Sequence, residues 1–272
     1  MSLYRKFDDY FLFNCIKVRR NCKTAKSKMP ISSKIHYFCA QKATNMEKWQ
    51  HAELPFRGAI FDMDGTLVDN SEAHVRAFAR FCDGYGIADW QEKLNDCFGM
   101  GGDDIMRRLL PEEVIREKGL QALNDEKEAI YRALYAPEIE PLNGLRELLE
   151  RLRTAGIRCA VGTSGCRQNV DFVLGACGIA DYFEVLVSGD RVTHCKPDPE
   201  IYLTAAQELG LHPSECIVFE DAKAGFEAAK RAGAGRIVAV ATTLSPEVIR
   251  AATPADLIFN DFSEIQTPQD LL

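Results

Sequence analysis

Ala59-Ile60-Phe61-Asp62-Met63-Asp64-Gly65-Thr66-Leu67-Val68-Asp69 joins a short apolar run to two carboxylates and a glycine turn. On a strand, residues i and i+2 point to the same face. If the strand spans 58–62, Asp62 and Asp64 can lie on one side of a site at its carboxyl end. That is where open parallel α/β sheets bind ligands. One carboxylate there can attack an electrophile while the other moves a proton. Taken alone, the pair is equally a solvated turn, so the rest of the chain has to decide.

Working outward, the pattern is helical for a long stretch and then alternates. Segments near 71–84, 89–97, 102–110 and 120–136 read as helices with no strand signal between them. Pro137 and Pro141 close this block. From there strands are expected at 157–161, 183–187, 216–219, 236–240 and 257–259. Helices are expected between them, near 145–152, 168–177, 198–209, 225–232 and 246–252, the first capped by Asn143. Strands alternating with helices imply a parallel sheet covered on both faces. The fold class is therefore α/β, a doubly wound parallel-sheet (Rossmann-like) core with an inserted all-helical cap. The expected division is 57–69 and 142–272 for the core and 70–141 for the cap, with hinges near Asp69–Asn70 and Ile139–Pro141.

Composition sets the outer limits. The 272 residues are 46% hydrophobic and 27% charged, enough for one core and a second module. No apolar run approaches the roughly 18 residues of a membrane helix. Residues 1–45 hold ten Lys or Arg against Asp8 and Asp9, whereas 46–272 hold 23 against 38 acidic groups. The acidic folded part argues against nucleic acid as a partner. Residues 1–56 read as a basic N-terminal segment, disordered or dispensable, with organelle targeting by 1–45 as the alternative to a cytoplasmic protein. The ten cysteines form no C-x-x-C pair and no zinc spacing, so free thiols are expected.

Three further strand-end loops carry chemistry. Val161-Gly162-Thr163-Ser164-Gly165 offers hydroxyls and glycine-flanked amides suited to phosphate oxygens. Lys196, in Cys195-Lys196-Pro197-Asp198-Pro199, sits on a stiff loop as a point charge for a transferring phosphoryl group. Glu220 and Asp221 end the run Ile217-Val218-Phe219. Gathered near Asp62 and Asp64 they repel: two like charges 4 Å apart cost about 4 kcal/mol at an effective dielectric of 20. A hard divalent cation removes that conflict.

These four sites, in this order, resemble the haloacid dehalogenase superfamily of phosphatases with a helical cap, in its β-phosphoglucomutase-like branch. The resemblance rests on D-M-D-G-T at 62–66, Thr163, Lys196 in K-P-D-P and Glu220-Asp221 in F-E-D-A-K-A-G, and covers about 57–262. It implies Asp62 as nucleophile forming an aspartyl-phosphate and Asp64 as general acid, then base. Thr163 and Ser164 would hold the phosphoryl group and Lys196 would neutralise it. Mg²⁺ would be held by Asp62, the Asp64 carbonyl and Asp221, with Glu220 contributing.

Within that branch, His74 stands ten residues after Asp64, as in the mutase, and is a candidate site residue. The mutase loop that grips a second phosphate has Phe98 and Gly102 at its matching positions here, and Arg167 follows the second loop. Without a second cationic site, simple hydrolysis of a small phosphorylated metabolite, a sugar phosphate, is favoured. A phosphomutase and a non-catalytic binding protein are the alternatives. The implied partners are that metabolite and Mg²⁺, with no membrane, in a monomer or weak homodimer.

Overall fold

The structure, a computed structural model, describes residues 46–94 and 101–272. Phe98 and the basic segment 1–45 lie outside the described residues. Six parallel strands form one sheet in the order β3-β2-β1-β4-β5-β6. They are β1 (Gly58–Phe61), β2 (Arg158–Gly162), β3 (Phe183–Val187), β4 (Cys216–Glu220), β5 (Arg236–Val240) and β6 (Leu257–Phe259). The chain winds outward from β1 to β3, returns, and winds the other way from β4. The reversal falls between β1 and β4, which pair Phe61 with Phe219. Such a switch point opens a crevice at the strand ends.

Alternation along each strand feeds two cores. Ala59, Phe61, Cys159, Val161, Ile217, Phe219, Val238 and Val240 pack on one face. Ile60, Ala160, Cys216, Val218, Ile237 and Ala239 pack on the other. Both faces are apolar because helices cover both, so the strands read as continuous hydrophobic runs. Phe61 stacks on Phe219 with centroids 4.4 Å apart, which fixes the two site-bearing strands side by side.

Among the described residues, five helices follow β1 before the chain returns to the core: α1 (Ser71–Tyr85), α2 (Trp90–Lys93), α3 (Gly102–Leu109), α4 (Glu112–Lys118) and α5 (Leu120–Tyr135). They share a hydrophobic cluster of their own, built on Phe78, Phe81, Trp90, Met106, Leu109 and Leu123. This is the inserted helical cap. Helix α4 was not expected. It fully buries no residue and only half-buries the adjacent Val114 and Ile115, so it leaves no apolar stripe to read; Glu112 and Glu113 in its first turn and Arg116 and Lys118 in its last suit the helix dipole instead. The core helices are α6 (Leu145–Thr154), α7 (Arg167–Cys177), α8 (Glu200–Glu208), α9 (Lys223–Ala232) and α10 (Pro246–Ala252).

Two expectations are corrected. Asn143 does not cap α6: Gly144 takes that place at φ 79°, a left-handed conformation favouring glycine, and Asn143 instead donates to Asp261 Oδ2 at 2.9 Å. Residues 46–56 are not a loose part of the basic segment. Trp49 is fully buried and donates to the Gln266 carbonyl at 3.2 Å, and Phe56 is buried too. Cys82, Cys159, Cys166, Cys177, Cys195 and Cys216 are free thiols, as expected. Among the described residues, no helix is long and apolar enough to cross a membrane.

Candidate active site

Asp62 follows the last residue of β1, and its amide donates to the Phe219 carbonyl of β4 at 3.0 Å. This anchors the strand end before the chain turns. Gly65, at φ 79°, makes the turn; a Cβ there would stand 2.1 Å from Asp221 Oδ2, so only glycine lets the turn reach the end of β4. The turn closes with Gly65 N donating to Val68 O at 2.8 Å. Across the crevice, β4 delivers Glu220 and Asp221. Asp62, Glu220, Asp221, Thr163 and Lys196 are all buried.

Lys196 is the pivot. Its Nζ donates to Asp62 Oδ1 at 2.5 Å and to Glu220 Oε1 at 2.7 Å. Despite burial, which lowers it, the Lys196 pKa is raised by Asp62 and Glu220, so the ammonium stays charged. The loop carrying it is braced by Glu200, whose carboxylate accepts from the amides of Thr193 and His194, each at 2.8 Å.

Glu220 is engaged on both oxygens. Oε1 also accepts from Tyr202 OH at 2.6 Å, and Oε2 accepts from the amides of Asp221 and Ala222 at 2.9 and 3.1 Å. Its expected contribution to a metal is therefore mainly charge and the placing of Lys196. Asp221 is held by hydroxyls: Thr66 Oγ1 donates to its Oδ1 at 3.3 Å and Thr243 Oγ1 donates to Oδ2. Tyr202 and Thr243 carried no signal in the sequence, and Thr66 only its place in D-M-D-G-T.

The carboxylates of Asp62, Glu220 and Asp221 bring ligand oxygens within 4.8 Å of one another. One buried ammonium among three buried carboxylates leaves an excess of negative charge. Burial, then Lys196 in the opposite sense, then Glu220 and Asp64 set Asp62, with the net result pushed up to about 7. Burial, Glu220 and Asp62 likewise raise Asp221 well above the carboxylate range. The donor set fits a hard divalent cation, which takes oxygen ligands and removes that charge conflict.

A stability prediction follows. Folded Asp62 keeps its proton up to about pH 7, whereas an unfolded carboxylate loses it near 3.9. The folded state binds more protons in that window, so apoprotein stability falls as pH rises through it. Thermal unfolding should show a lower midpoint at pH 8 than at about pH 5.5, with millimolar Mg²⁺ narrowing the gap. A pH-independent midpoint would mean that the charges are already compensated.

Asp64 faces the cap. Asn70 Nδ2 donates to its Oδ1 at 2.6 Å and also lies 2.7 Å from Tyr131 OH, while Asn70 Oδ1 accepts from Gly65 N at 3.2 Å. His74 Nε2 stands 3.7 Å from Asp64 Oδ1. The His74 ring stacks on Tyr131, with centroids 4.0 Å apart and planes 3° apart. Its Nδ1 is 2.9 Å from Nζ of the buried Lys127. Burial alone would raise Asp64; His74, Asn70 and Lys127 outweigh it and hold the carboxyl below its ordinary value. In the sequence Asn70 is expected only as a hinge, and Lys127 lies in a segment expected only to be helical. Lysine on a cap helix has no local mark that it is buried.

The other expected residues divide. Thr163 is in place: its amide donates to Val187 O at 3.0 Å and its Oγ1 accepts from Gly165 N at 3.1 Å, shaping the second loop with Ser164. His74 is in place beside Asp64. Arg167 is not brought to the site; it is exposed and pairs with Asp171 one turn along its own helix at 2.9 Å. Gly102 packs within the cap, where a Cβ would meet Asn124 Oδ1 at 2.6 Å.

Residues 59–239 match the haloacid dehalogenase-like hydrolase family. A phosphorylated carbohydrates phosphatase of Thermotoga maritima is 33% identical over 189 residues, covering 68% of this chain and 86% of the relative. The fructose-1-phosphate phosphatase of Escherichia coli is 32% identical over 182 residues, 65% of this chain and 93% of the relative. Among solved structures, CbbY from Rhodobacter sphaeroides in complex with xylulose-(1,5)bisphosphate superposes at a TM-score of 0.67 with 27% identity, covering 79% of this chain and 99% of that one. A β-phosphoglucomutase from Clostridium difficile gives 0.65 and 26%, covering 77% and 93%. The chain belongs to the haloacid dehalogenase-like hydrolase family, in its β-phosphoglucomutase-like branch.

Proposed function

We propose that this chain is a Mg²⁺-dependent phosphatase that hydrolyses a small sugar phosphate through an aspartyl-phosphate on Asp62. Within its family the chain is a phosphoric monoester hydrolase. The observation that carries the reading is the buried contact of Asp62 with Lys196, with Asp64 held separately by Asn70 and His74. Two carboxylates two residues apart thus have unlike surroundings. Without cation or substrate Asp62 is raised and Asp64 lowered; the charges of a bound cation and phosphoryl group would reverse that order, freeing the Asp62 anion and placing a proton on Asp64.

In the first step an Asp62 oxygen attacks phosphorus and the ester P–O bond breaks. Asp64 gives its proton to the departing oxygen. In the second step Asp64 takes a proton from water as the water oxygen attacks phosphorus. The bond to Asp62 breaks, phosphate leaves and both carboxyls return to their starting states. Lys196 neutralises the nucleophile and the phosphoryl oxygens, and Thr163 and Ser164 hold those oxygens. Asp62, Asp221 and the Asp64 carbonyl would hold Mg²⁺, with Glu220 adding charge; when bound, the ion offsets charge on the phosphoryl group. The cap closes the site over these residues and keeps bulk water from the aspartyl-phosphate.

A mutase would need a second cationic site for a bisphosphate. Among the described residues, the cations facing the core from the cap, or following the second loop, are engaged elsewhere. Lys127 pairs with Glu128 at 2.8 Å, Arg132 donates to Asn169 at 2.7 Å and Arg167 pairs with Asp171. Arg107 and Arg108 are exposed. This supports hydrolysis. The test is a panel of sugar and polyol monophosphates with Mg²⁺, read for inorganic phosphate and for isomerised sugar phosphate. Phosphate is the expected product; isomer without phosphate would replace the phosphatase reading with the mutase.

A further inference from the structure

Asn169 is buried in the first turn of α7, just beyond the loop of Thr163 and Ser164, yet its side chain reaches the cap. Its Oδ1 accepts from Arg132 Nη1 at 2.7 Å, and its Nδ2 donates to Glu128 Oε2 at 2.7 Å. Glu128 and Arg132 are i and i+4 on α5, with the acid N-terminal, the spacing that favours a direct ion pair. Here one amide stands between them instead, accepting from Arg132 and donating to Glu128. That leaves Glu128 Oε1 to accept from Lys127 Nζ at 2.8 Å.

The chain of contacts continues to the reacting end. A lysine ammonium only donates, so His74 Nδ1, 2.9 Å from Lys127 Nζ, is the acceptor and the ring proton is on Nε2. That Nε2 is buried, has no hydrogen-bond partner and is directed at Asp64 Oδ1, 3.7 Å away. Such contacts tighten when substrate is bound.

We propose that Asn169 is a positioning residue that joins the phosphate-binding loop to the cap and, by holding Glu128 against Lys127, keeps His74 and Asp64 aligned to protonate the leaving oxygen. This rests on the reading of Asp64 as general acid given above. Without the amide, Glu128 is free to pair with Arg132 along its own helix. Lys127, fixed among Phe78 and Tyr131, then loses its carboxylate, and His74 loses its register. The same amide ties the placement of α5 to the loop that receives the phosphoryl group, so proton delivery is coupled to cap closure.

The test compares kcat/KM, which reports the step in which the ester bond breaks, for two substrates. One is p-nitrophenyl phosphate, whose leaving group departs without a proton. The other is an alkyl monophosphate from the panel, whose leaving group needs one. Asn169→Ala should lower kcat/KM for the alkyl ester by about tenfold or more and for the aryl ester by less than about threefold, as expected if part of a roughly 10²- to 10⁴-fold acid contribution is lost. Glu128→Gln keeps the side-chain shape, removes the charge facing Lys127, and should show the same selectivity. If Asn169→Ala does not fold, as judged by thermal unfolding, Glu128→Gln decides. Equal losses on both esters, or no loss on either, overturn the assignment. Wild-type protein with no Asp62-dependent hydrolysis of either ester overturns the parent reading instead, and this one with it.

Discussion

Asp62→Asn is expected to lower phosphate release by at least roughly 10⁴-fold while leaving the protein folded. The amide has nearly the shape of the carboxylate but no nucleophilic anion, so the aspartyl-phosphate cannot form. Its carbonyl oxygen can still accept from Lys196 Nζ, now 2.5 Å from Asp62 Oδ1, so the buried ammonium keeps an acceptor. Removing one of three crowded carboxylates also relieves the burial cost and the repulsion from Glu220 and Asp64 that push Asp62 up to about 7. The apoprotein should therefore melt at the wild-type temperature or above it. Phosphate release at saturating substrate, alongside a thermal melt, checks both halves. Activity within tenfold of wild type would dismiss Asp62 as the nucleophile.

Lys196→Met should damage activity and stability together, which separates it from Asp62→Asn. The side chain is of similar length but loses the charge between Asp62 and Glu220. Breaking a buried ion pair by deleting one partner typically costs about 3–5 kcal/mol, because the remaining charge is left without compensation. Here two carboxylates lose the same partner. For a protein of this size each kcal/mol lowers the melting temperature by roughly 2–4 °C. Turnover should fall by about 10²–10³ or more, as when one preorganised donor to a charged transition state is removed. Mg²⁺ should restore part of the stability but not the turnover, since it offsets the carboxylates without replacing the cation beside the nucleophile. Chemical denaturation and phosphate release, each with and without Mg²⁺, provide the check. Unchanged stability would mean that the Lys196 charge is not what holds these carboxylates together.

Much of this site was legible because its residues carry local marks. Asp62 and Asp64 flank a glycine turn after an apolar run. Thr163 lies among glycines, Lys196 between turn residues, and Glu220-Asp221 at the end of a strand. Asn70, Lys127, Tyr131, Asn169 and Tyr202 carry no such mark. Each sits in an ordinary helical or turn pattern, and its burial and partners come from elements far away in the chain. Tyr202 meets Glu220 from α8, and Asn169 meets Glu128 from another helix. Arg167 shows the opposite failure: its place after the second loop suggested a site role, but the helix turned it outward to Asp171. Helix α4 was invisible because it fully buries no residue and only half-buries the adjacent Val114 and Ile115, and the packing of Trp49 was hidden behind a basic, unpatterned segment.

The sequence by itself determined the alternation of strands and helices, the inserted cap and the carboxylates, hydroxyls and lysine at the strand ends. These follow from side-chain periodicity and turn chemistry, which act within a few residues. Only the tertiary structure decided which of them meet. The reversal of winding between β1 and β4 sets Asp62 against Asp221 across the crevice, and the fold of the cap onto the core sets Lys127 and His74 behind Asp64. Those contacts depend on buried charges finding partners through packing, and no local pattern of residues records where packing will bring them.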